Sequence, residues 1–211
     1  MGLLLLFGLM ARAALAAAKD PMVPDQGITL RLVAEVIVES IDRFVRSVMD
    51  DEHWAAHGHY RMLVPFLGSL FLFILTCDFF GLIPGMEPPT GNSNLTFALG
   101  AVCLVFYMYQ GVRAKGPLGY LRTFLGPLII LAPLMLPIEL ADNLFRPVSL
   151  GIRLFANMSA DHTVLSIFTN LTKLIVPLAF YALGSLICVI QAMIFMVLTM
   201  SYIKVATSHE H

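Results

Sequence analysis

Charge is scarce in this sequence. Only 13% of its 211 residues are Asp, Glu, Lys or Arg, the net charge is -1, and no run of one sign is long enough to make an interaction tail. That leaves no field for a nucleic-acid partner. Cysteine is nearly absent, and Cys77, Cys103 and Cys188 each sit inside an apolar run without a Cys-x-x-Cys pairing, so they are core residues rather than disulfides or metal ligands. Also missing are a phosphate-binding loop and any nucleophile placed beside a base, so the chain is not an enzyme by itself and calls for no cofactor. What remains is apolar: 58% hydrophobic residues and a mean hydropathy of +0.83 place the chain in a bilayer.

These numbers predict an all-α polytopic membrane protein, a single membrane domain of about five transmembrane helices. Leu3 to Ala18 is short and ends in alanines that a signal peptidase could accept, but no positive charge precedes it, and it reads as a first span. Over 28–50 the residues Leu30, Val33, Ile37, Ile41, Phe44 and Val48 recur at three and four, opposite Arg31, Glu35, Glu39, Asp42 and Arg46. This is the pattern of an amphipathic helix lying at the membrane interface or on a partner. His53 and His57 stand four apart, but the nearby Gly58 and an interfacial setting favour solvated histidines over a metal site. Further spans are expected over 63–84, 94–112, 125–167 and 172–204, the last two forming a long tilted hairpin. Basic residues on alternate connections put the C-terminus in the cytoplasm.

Within the fourth of these spans the polar residues are periodic. Glu139, Asp142, Arg146, Ser149, Arg153, Asn157 and Asp161 follow one another by 3, 4, 3, 4, 4 and 4, on one helix face. The line runs about 33 Å, the depth of a bilayer core, so ions can follow it. A guanidinium in mid-membrane costs at least about 2.5–3.5 kcal/mol on insertion scales. Arg153 therefore needs a counter-charge from another helix or subunit, or internally from Asp78 or another acid. Arginine stays protonated even when buried, so it can attract and release a passing carboxylate without taking its proton. Gln191, in the last span, reads as either an interhelical hydrogen bond or a relay group.

The segments Pro147-Val-Ser-Leu-Gly-Ile-Arg-Leu-Phe-Ala-Asn-Met158 and Gln191-Ala-Met-Ile-Phe-Met-Val-Leu-Thr-Met-Ser-Tyr202 closely resemble subunit a of the F-type ATP synthase membrane sector. A looser similarity extends over nearly the whole chain. The resemblance implies a stator subunit with two offset aqueous half-channels against a rotating ring of c subunits. Partners would be that ring, subunit b and the rest of the complex, in the inner membrane of a bacterium. Arg153 matches the essential arginine; Asn157, His162 and Gln191 match positions lining the outer half-channel. Glu139 matches a polar position near the cytoplasmic side, with Ser149 as a lesser helper. Two departures stand out. Gly184 occupies a position where bacterial relatives often have His, and Asp161 one where they commonly have Gly, so Asp161 beside His162 is expected to supply the missing proton-accepting group. A secondary transporter would show inverted repeats with broken helices, absent here, and a non-conducting scaffold would tolerate loss of Arg153.

Overall fold

The computed structural model describes residues 30–48, 60–83, 86–125, 132–171 and 175–207. These hold five α-helices and one short 3-10 turn: α1 Leu30–Val48, α2 Tyr60–Gly81, the turn Pro89–Gly91, α3 Ser93–Leu125, α4 Ala132–Leu171 and α5 Ile175–Thr207. The all-helical membrane architecture is as expected, with fewer spans among the described residues. Among the described residues three stretches are long and apolar enough to cross a membrane: Met62–Gly81, Ser93–Gly116 and Leu178–Thr207. The helix α4, about 60 Å long at 40 residues, is set apart by the charges of its polar face. Leu3 to Ala18, His53 and His57 lie outside the described residues.

Two compact units are distinguished, residues 1–73 and 74–211. In the first, α1 buries Ile41 and Val45 while its polar face carries the pairs Glu39–Arg43 at 2.8 Å and Asp42–Arg46 at 2.7 Å. With the acid four residues before the base, each exposed pair adds about 0.3–0.5 kcal/mol to the helix. Gly68, on α2, rests on the Ile41 side chain at an ordinary 3.6 Å.

The second unit is built on a seam between α3, α4 and α5. Buried positions on α3 include Thr96, Gly100, Cys103, Tyr107 and Gln110, and on α4 Asn143, Pro147, Leu150, Leu154 and Met158, steps of three and four that keep one face turned to its neighbour. Small residues let the backbones approach: a Cβ on Gly100 would stand 2.5 Å from the Pro147 carbonyl oxygen, and one on Gly151 3.2 Å from that of Thr96. Past Lys115 the helical path of α3 is broken at Gly116, whose φ of 75° suits glycine, and a second helical stretch runs on to Leu125.

Pro147 lies inside α4 and has no N–H to give the carbonyl four residues back. That carbonyl belongs to Asn143, and the Tyr107 hydroxyl donates to it at 3.0 Å, and to Asn143 Oδ1 at the same distance. A proline-freed acceptor in the bilayer is thus satisfied from the neighbouring helix. Tyr107→Phe is expected to lower stability by about 1–3 kcal/mol, the cost of a buried acceptor left alone. A shift in the detergent-unfolding midpoint checks this, and an unchanged midpoint would contradict it.

Candidate proton path

Two arginines share one face of α4, seven residues or about 10 Å apart. The structure treats them oppositely. Arg146 is mostly covered, forms an ion pair with Asp142 one turn away, and lays its guanidinium over the Tyr202 ring, 5.5 Å from the centroid. Arg153 is exposed, and among the described residues it has neither an ion pair nor a hydrogen bond. Internal pairing with Asp78 does not occur: that carboxylate is 1% exposed and accepts a hydrogen bond from the Thr90 hydroxyl at 2.7 Å. Around Arg153 the exposed positions of the same face include Ser149, Ala156 and Ala160, small residues that leave the guanidinium open to an approaching helix.

One turn beyond Arg153, the Asn157 Nδ2 donates to Gln191 Oε1 at 2.7 Å, joining α4 to α5. Gln191 is buried, and its Nε2 has no partner among the described residues. The interhelical hydrogen bond anticipated for this glutamine is therefore present, with one donor left over.

A further turn on, Asp161 and His162 are half-buried and line a cavity of about 240 Å³ together with Gly81, Phe180, Gly184 and Cys188. Gly184 lies across that space, where the absence of a side chain opens room opposite the carboxylate; a Cβ there would meet only the end of Leu82, at 2.9 Å. Gly81 is a packing glycine as well as a helix end, since a Cβ on it would meet Met158 and, at 2.6 Å, Pro88. A second hollow of about 460 Å³, wider and more polar, is lined by Glu87, Asn92, Ser93, Ser159, Thr163 and again His162. His162 is thus a wall common to an open polar vestibule and an inner cavity that contains Asp161.

At the other end of the stripe, Glu139 is half-buried, its backbone carbonyl accepts from Asn143 Nδ2 at 3.0 Å, and its carboxylate lies within electrostatic reach of Lys115 and Tyr120. Burial pushes the Tyr120 phenol above its ordinary value, so it stands beside Glu139 as a neutral group. Among the described residues no cluster of His, Cys, Asp or Glu could hold a metal ion.

The family model described as the ATP synthase A chain matches residues 1–204. The chain belongs to the ATP synthase A chain family. Its relatives include the ATP synthase subunit a of Bdellovibrio bacteriovorus, 42% identical over 205 residues, covering 97% of this chain and 86% of the relative. That of Solibacter usitatus is 42% identical over 161 residues, 76% of this chain and 68% of the relative. A third, from Oleidesulfovibrio alaskensis, is 37% identical over 203 residues, 96% of this chain and 82% of the relative. This member of the family is a multi-pass bacterial membrane protein and part of an ATP synthase complex whose catalysis lies in other subunits.

The contacts of the site differ in how much of a signature they leave in sequence. The Asp142–Arg146 pair follows the four-residue spacing of acid and base on a helix, whereas the Tyr202 ring over Arg146 and the Asp78–Thr90 hydrogen bond depend on which helices meet. In the sequence Asp78 was legible as an internal acid available to Arg153, not as the partner of Thr90.

Proposed function

We propose that this chain is the stator side of the proton path in F-type ATP synthase, with the c-ring against the Arg153 face of α4, subunit b alongside, and the C-terminus in the cytoplasm of a bacterium with an inner membrane. The observation that carries the reading is the contrast between the two arginines. Arg146 is neutralised within the chain, while Arg153 is exposed beside small residues and has no counter-charge among the described residues. A fixed, permanently protonated guanidinium so placed suits a carboxylate delivered from outside the chain.

The outer half-channel runs from the polar vestibule through His162 to Asp161, then by way of Asn157 and Gln191 to the neighbourhood of Arg153. A ring carboxylate that has given up its proton on the cytoplasmic side is drawn to Arg153 as an anion, passes it, and is protonated by a proton that Asp161 releases, with Asn157 and Gln191 supplying the hydrogen-bonding groups along its way. Because Arg153 never releases its own proton, protons cannot hop directly between the two half-channels. The inner half-channel leaves past Ser149 toward Glu139. In this scheme Asp161 supplies the titratable group that Gly184 cannot.

Asp161→Asn keeps size and hydrogen bonding but removes the exchangeable proton. ATP-driven acidification of vesicles carrying the assembled complex is expected to fall about a hundredfold, the usual worth of a positioned proton-transfer group. Undiminished acidification would remove Asp161 from the path.

A further inference from the structure

Asp78 takes no part in the path just described, yet it is a carboxyl group almost wholly withdrawn from solvent, at 1% exposure. Burying such a group is costly unless something compensates it. No cation pairs with it among the described residues; its hydrogen-bond partner is Thr90, itself 0% exposed. A threonine hydroxyl both donates and accepts. The contact therefore survives whether Asp78 is ionised, with Thr90 donating, or protonated, with the hydroxyl turned to accept. A carboxyl that keeps its partner in both states is suited to exchanging a proton rather than to holding a fixed charge.

The placement is equally specific. Thr90 belongs to the 3-10 turn whose last residue, Gly91, and flanking residues Pro88 and Asn92 line the polar vestibule. Asp78 lies one helical turn before Gly81, which lines the inner cavity with Asp161 and Cys188, and Asp78 and Asp161 are within electrostatic reach of each other and of the Cys188 thiol. The Thr90–Asp78 pair itself lines neither space, but its chain neighbours do: Gly81 and Leu82 beyond Asp78 line the inner cavity, and Pro88 and Gly91 beside Thr90 line the vestibule.

We infer that Thr90 and Asp78 form a second proton entry, parallel to His162, that joins the vestibule to Asp161. A hydronium in the vestibule gives its proton to the Thr90 hydroxyl as the hydroxyl passes its own to Asp78, Asp78 then passes a proton to Asp161, and Asp161 hands one on toward the ring carboxylate past Asn157 and Gln191, so the hydroxyl and both carboxyls return to their starting states. The inference rests on the proton-path reading above.

The test compares His162→Gln, Asp78→Asn and the double variant by ATP-driven acidification in liposomes containing the whole ATP synthase. The amide introduced by Asp78→Asn still accepts from the Thr90 hydroxyl, so the local fold is kept. With two parallel branches each single variant loses a factor of about two, and the double variant about a hundredfold, far beyond the product of the singles. Thr90→Val, which keeps the volume and drops the hydroxyl, is expected to match Asp78→Asn in both backgrounds. A double variant no worse than the product of the singles would overturn the second entry, as would Asp78→Asn alone being as severe as the double. Failure of the proton-path reading itself has another signature: undiminished pumping by Arg153→Ala.

Discussion

Alanine in place of Arg153 abolishes ATP-driven acidification of vesicles while leaving the complex assembled. The two halves of this expectation have separate grounds. Assembly survives because the guanidinium makes no described ion pair or hydrogen bond within the chain, so its removal leaves no internal partner stranded; on insertion scales the change even relieves about 2.5–3.5 kcal/mol. Pumping fails because no other unneutralised cation lies on that face of α4: Arg146 is taken up by Asp142 and Tyr202. Arg153→Lys tests the same point more finely, since a lysine can lose its proton in a poorly hydrated site and let protons cross between the half-channels. Arg146→Ala is the counterpart, expected to lower the unfolding midpoint by removing the ion pair and the ring contact. Full pumping by Arg153→Ala in an intact complex would make the residue structural and end the central reading.

The other large effect lies in packing. Gly100→Ala adds one methyl group at 2.5 Å from the Pro147 carbonyl oxygen, a backbone atom that no rotamer change can move aside. The helices must separate, at a cost of about 3 kcal/mol, the upper part of the usual range for an overpacked core. Gly68→Ala is the control, because its Cβ would sit 3.6 Å from Ile41, an ordinary contact, and alanine favours the helix by about 1 kcal/mol. Detergent-unfolding midpoints of the two variants should move in opposite directions. Equal midpoints would show that the α3–α4 crossing is not as tight as described.

How much of this was legible in the sequence depended on how local the physics was. The polar face of α4 was legible because a 3.6-residue period needs only the sequence, and the amphipathic α1 was legible for the same reason. The close of the span at Arg113 and Lys115 was legible too, since the helix breaks at Gly116; the second helical stretch that runs on to Leu125 was not, because one glycine's positive φ sets where it begins. The link between Asn157 and Gln191 spans 34 residues and two helices, so periodicity offered each residue without joining them. The same holds more strongly for Thr90 and Asp78, and for His162, whose double role exists only because the loop near Glu87 and helix α5 border it from different sides. Tyr107 illustrates a third case, since a proline in a helix announces an orphan carbonyl but not the residue that will satisfy it.

The exposed guanidinium of Arg153 also bears on the life of the chain before it has partners. A copy alone in lipid carries a charge it cannot discharge and, among the described residues, no acid that answers it, so it is a poor resident of its own membrane. Docking against an anionic neighbour removes that burden, and by mass action the bound form is favoured over the solitary one. The residue on which transport turns therefore also serves as a seal of completeness, telling finished machines from orphaned parts.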